Sequence, residues 1–145
     1  MTIHELFKNE HQIIRKMSAR LRDVMAKEPS ELADFLPKLQ QEVSRHFKRE
    51  EIYYRTLDDG KRIGDRELMH SLRNDHAGVV FTLESLMIRL RKLGFNPDWE
   101  KRCENMLGVL LPHLDHEEKD LFPKGASFLS PADLQTILEQ AREVE

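Results

Sequence analysis

The chain has 145 residues, 39% of them hydrophobic, which suits one domain with a single core. A formal net charge of −3 and a pI near 6.2 argue against a general binder of nucleic acid, since no basic face accumulates. No apolar run approaches the ~18 residues of a membrane span. The N-terminus lacks the plan of a signal peptide, and the one cysteine, Cys103, rules out an internal disulfide framework. A soluble cytoplasmic protein is the expectation.

Read in chain order, the sequence predicts helices only, because no stretch alternates with a period of two. Thr2 and Glu5 form a T-x-x-E capping box that opens a first helix running to about Lys27, where E-P-S breaks it. A second helix starts at Ser30 or Asp34, with Pro37 in its first turns, and ends at D-D-G, residues 58 to 60. Asp65 caps a third helix that Gly94 terminates. F-N-P-D then leads into a fourth helix from about Asp98 to Leu121, bent or ended by Pro123. Ser130-Pro131 opens a short tail helix. The prediction is an antiparallel up-down-up-down four-helix bundle over residues 1–125, with a tail helix at 126–145 that caps the bundle or forms a dimer contact.

The inward seam of each helix follows from its 3-4 spacing of apolar residues. The first helix presents Phe7, His11, Ile14, Ser18, Leu21 and Met25; the second Leu36, Leu39, Val43, His46, Glu50, Tyr53 and Leu57. The third presents Met69, Leu72, His76, Val79, Leu83, Leu86, Leu90 and Leu93; the fourth Trp99, Cys103, Met106, Leu110, His113, Glu117 and Leu121. Each seam therefore holds one histidine, and the second and fourth add a glutamate one turn later.

These polar positions fall at one height. In an antiparallel hairpin, two residues are level when their midpoint lies on the turn. His11 and His46 have their midpoint in E-P-S, and His76 and His113 have theirs at Gly94-Phe95. The His46/Glu50 pair and His76 have theirs between Gly60 and Gly64. The level lies ~26 Å from the first turn at ~1.5 Å per residue, well inside the bundle. Six buried polar groups left unpaired would each cost roughly 1–3 kcal/mol, comparable in sum to the ~5–15 kcal/mol that stabilises a domain. A cation held by inward lone pairs removes that conflict.

The pattern also repeats: N-E-H at 9–11 returns as N-D-H at 74–76, and His46/Glu50 returns as His113/Glu117. The resulting pseudo-two-fold symmetry suggests two metal ions bridged by Glu50 and Glu117. Four nitrogens and two carboxylates without a thiolate favour iron, with manganese or zinc as alternatives.

The chain resembles the haemerythrin-like, or HHE cation-binding, domains. The resemblance covers roughly residues 1 to 125 and rests on E-H at 10–11, H-F-K-R-E-E at 46–51, D-H at 75–76 and L-P-H-L-D-H-E-E-K-D-L-F-P at 111–123. It implies a four-helix bundle around a non-haem di-iron centre, with His11 and His46 on one iron, His76 and His113 on the other, and Glu50 and Glu117 bridging. Oxygen-carrying haemerythrins have a further histidine spaced H-x-x-x-H on the third helix. Here the positions four residues either side of His76 are Leu72 and Val80, so one iron is short of a nitrogen. His116 and Tyr53 are the candidates for an extra ligand or a hydrogen-bonding neighbour; Glu51 and Glu118 orient ligands or face water. His4 stands two turns from His11, His70 lies off the seam, and Cys103 reads as a core thiol.

The resemblance implies a protein that binds or senses oxygen or a related diatomic such as nitric oxide. Two alternatives stand beside it: a di-iron enzyme or repair or iron-donor factor in peroxide or nitric oxide stress, and a structural bundle binding another metal.

Overall fold

A computed structural model describes residues 1–59 and 64–145. Helix α1 spans Ile3–Lys27, α2 Leu32–Asp59, α3 Arg66–Leu93 and α4 Pro97–His116. Helix α4 passes through a π-helical turn, Glu117–Leu121, into α5, Phe122–Phe128, and α6 spans Pro131–Arg142. No strand occurs among the described residues. The turn expected between Gly60 and Gly64 lies, for residues 60–63, outside them.

The helix signals in the sequence act where they stand. Thr2 and Glu5 exchange both capping-box hydrogen bonds, at 3.1 and 3.2 Å. Asp65 accepts from Leu68 N–H at 3.0 Å, and Gly94 ends α3 at φ +73°. Ser130 and Asp133 form a second capping box ahead of Pro131. Pro37 sits inside α2 without ending it, and a 3-10 turn, Pro29–Glu31, leads in. The start of α4 differs from expectation: Asn96 is the cap, accepting from Trp99 N–H at 2.9 Å, and Pro97 is the first helical residue.

The end of α4 differs more. Pro123 does not stop the chain from being helical. Its ring would collide with the carbonyl of Lys119 in a regular α-helix, and the preceding turn widens so that Phe122 N–H bonds to Glu117 C=O, five residues back. The helix then continues to Phe128. Gly125 in this segment faces the Tyr53 hydroxyl so closely that a Cβ could not be added.

Helix α1 packs on α2 and α4, α2 on α3, and α3 on α4, closing the four-helix ring. The predicted seam positions are buried, except that Leu90 is half-buried and Leu93, in the last turn of α3, is exposed. The apolar core has two parts. One, including Ile14, Val43, Val79 and Leu110, lies toward the α1–α2 and α3–α4 turns. The other, including Phe7, Tyr53, Leu72 and Leu121, lies toward the opposite end, where α6 adds Ile137, Leu138 and Ala141. On every helix the seam histidine or glutamate falls between them. No described helix is long and apolar enough to cross a membrane.

Candidate metal centre

Two of the six inward polar residues come from α2, one each from α1, α3 and α4, and Glu117 from the first residue of the π-helical turn. Glu50 and Glu117 stand at the centre. Glu50 Oε2 lies 3.4 Å from His11 Nε2 and 3.1 Å from His46 Nε2, and its Oε1 lies 3.0 Å from His76 Nε2. Glu117 Oε1 lies 3.3 Å from His11 Nε2 and 3.1 Å from His113 Nε2. Two overlapping four-residue groups result, each with its ligand atoms within 4.8 Å: His11, His46, Glu50 and Glu117, and His76, His113, Glu50 and Glu117.

All four histidines turn Nε2 inward. Three have Nδ1 against an outer carboxylate: His11 on Glu118 at 2.6 Å, His46 on Glu10 at 2.9 Å, and His113 on Asp75 at 3.0 Å. An Nδ1–H donated outward leaves the Nε2 lone pair facing in, the tautomer a metal ligand requires. The pairing crosses between helices, since Glu10 and Asp75 each precede a cage histidine yet each holds the histidine of the next helix. These outer acids are fixed in turn. Arg15 reaches Glu118 at 2.8 Å, and Arg49 bridges Glu10 to the carbonyls of Ala141 and Val144 at the end of α6.

The donor set fits a cation. His46 Nε2 and Glu117 Oε1 are fully buried without a hydrogen-bond partner, although each has polar atoms at hydrogen-bond distance. Close approach without hydrogen-bond direction is what lone pairs converging on a shared point produce. Without a metal, protons fill that role. Burial opposes charge on His11, but Glu117 and Glu50 outweigh it and push the imidazole up to about 10. Burial is likewise overcome at His46, raised to about 9 by Glu50 and Glu10, and at His113, raised to about 11 by Glu117 and Glu50. Burial would raise Glu50, yet the imidazoles of His46, His11 and His113 hold it well below the usual carboxylate range. The cluster could hold metal.

The haemerythrin HHE cation-binding domain description matches residues 2–125, most of the chain. The chain belongs to this haemerythrin family. Searches of the curated proteins and of the solved structures return no match.

Against the haemerythrin pattern, the neighbourhood of His76 is the distinctive part. His116 is exposed on α4 and belongs to neither four-residue group. The Tyr53 hydroxyl is engaged by His4 Nε2 at 2.7 Å, and its ring packs on Phe7 and Phe122. The tyrosine that reaches the haemerythrin cage is Tyr54. Its hydroxyl lies 3.2 Å from His76 Nε2 and donates to Glu117 Oε2, and its ring stacks on His76 at 5.0 Å. Burial, then the Glu50 and Glu117 carboxylates, keep this phenol protonated well above its ordinary range. Sequence reasoning missed Tyr54, Glu10 and Asp75. Only the acid-before-histidine repeat signalled the last two, and position i+4 from Glu50 signalled the first. Cys103 is buried in the apolar core, its thiol raised to about 12 by burial.

Proposed function

We propose that this haemerythrin-family bundle holds two irons, His11 and His46 on one, His76 and His113 on the other, bridged by Glu50 and Glu117. The pair binds or senses oxygen or a related small diatomic such as nitric oxide. The observation that carries the reading is the sharing of Glu50 and Glu117 between two histidine pairs in one buried layer. Imidazole and carboxylate without thiolate suit iron above zinc or magnesium. When bound, ferrous iron supplies electrons and an open coordination position. The chain's own residues do the rest: Glu118, Glu10 and Asp75 hold imidazoles in register, and the two apolar layers exclude bulk water. Tyr54 stands where the fifth nitrogen is missing, as the additional oxygen donor once a cation reverses the electrostatics that protonate it.

Elemental analysis of protein purified without added metal should give two irons per chain. Mixing the reduced protein with oxygen should then produce a persistent new absorption band. Repeated turnover of peroxide or nitric oxide, lost in Glu50→Ala, would replace this reading with an enzymatic one. Zinc or no metal, with a melting temperature indifferent to chelation, would leave a structural bundle.

A further inference from the structure

Five of the six cage side chains have no exposed surface; His76 alone retains 10%. It opens into a depression between α2 and α3 lined by Phe47, Glu51, Arg73, Val80, Phe81 and Glu84. The opening lies where the internal symmetry breaks. On one half of the bundle Glu118 receives His11 Nδ1. Its counterpart Glu51 instead turns to Arg73 at 3.2 Å, and the His76 ring is covered by Phe47, stacked at 3.8 Å and 13°. The rim thus carries two carboxylates, with its one guanidinium held by the first of them. Val80 and Phe81 add an exposed apolar lip, Phe81 at 74%.

We propose that this depression is the entrance through which small molecules reach the iron pair, and that Glu51 and Glu84 make it selective for uncharged diatomics over anions. The proposal rests on the di-iron reading above and specifies the ligands that site admits. A negative rim lowers the local concentration of anions and leaves neutral molecules unaffected, by an amount that salt screens. The apolar lip favours molecules that need no hydration shell. Phe47 is the side chain an entering molecule must pass.

Two measurements test this. Metal-free protein treated with limiting diethyl pyrocarbonate should be modified at His76 before His11, His46 or His113, as read by peptide mass mapping. Modification of any of those three first would overturn the entrance. In protein carrying two irons, Glu51→Gln and Glu84→Gln should each raise the azide association rate about threefold at low ionic strength. That gain should vanish in about 1 M salt, where the screening length is ~3 Å, while nitric oxide association stays unchanged. Phe47→Leu should quicken both ligands. An equal response of azide and nitric oxide to Glu51→Gln, or none in either, would overturn the selectivity. A chain that proves to hold no iron defeats the di-iron reading but leaves the labelling order to decide the entrance.

Discussion

Tyr54 and Tyr53 are adjacent, both fully buried, and have different work. Tyr53 closes a contact between His4 and Gly125, whereas Tyr54 places its hydroxyl on Glu117 and His76. Iron-loaded wild type should therefore show a tyrosinate-to-iron absorption band in the visible range. Tyr54→Phe should abolish it and Tyr53→Phe should leave it, which absorption spectra of the three proteins check. The imidazoles give a second expectation, with a definite sign. His11, His46 and His113 are raised in the folded chain to about 10, 9 and 11, from an ordinary 6.5. The native state then binds more protons than the unfolded chain between these values. Their contribution to metal-free stability is full below about pH 6.5 and is lost as pH rises through 9 to 11. The urea midpoint of chelator-treated protein should fall between pH 7 and pH 10. Iron-loaded protein, whose nitrogens hold metal in place of protons, should not show that fall.

Among the elements, α6 is the one whose role reaches beyond packing. Its apolar side, Ile137, Leu138 and Ala141, is buried against the bundle, and its C-terminal carbonyls accept from Arg49. Arg49 also holds Glu10, and Glu10 holds His46. The last turn of α6 is thereby joined to a cage imidazole through two side chains. Arg49→Gln should quicken iron release to an external chelator about tenfold, the scale on which loss of such outer hydrogen bonds weakens metal sites. The helical circular dichroism should be unchanged, and Arg49→Lys, which keeps the charge, should restore part of the retention. The π-helical turn has a comparable position. It begins at Glu117, so the widening that accommodates Pro123 also sets where the central carboxylate projects.

For the molecule as a whole, the polar layer divides the core into two apolar halves. Proton-mediated contacts replace metal in the empty cage, so the bundle should fold without iron but less stably. Binding that favours only the native state stabilises by about 2.7 kcal/mol when free metal is a hundred times its dissociation constant. For a chain of this length that corresponds to a melting temperature higher by roughly 5–10 °C, measurable by scanning with and without a chelator. Glu117→Ala should erase the difference, because both four-residue groups lose a member.

The sequence by itself determined the helices, their inward seams and the common height of the six polar residues. Those depend on helical periodicity and turn positions, which are local and one-dimensional. It determined the family resemblance for the same reason, since H-F-K-R-E-E and L-P-H-L-D-H-E-E-K-D-L-F-P are contiguous. Only the tertiary structure decided which nitrogen each imidazole turns inward, that Glu10 and Asp75 hold histidines of the following helices, and that Tyr54 rather than Tyr53 approaches His76. Each of these is set by how neighbouring helices are rotated about their axes, and a rotation of a few tens of degrees exchanges residues i+3 and i+4 without altering the seam. The asymmetry that leaves His76 partly open was hidden for a further reason. Glu51 and Glu118 are equivalent in the repeat, and it is Arg73, reaching across from α3, that draws one of them away.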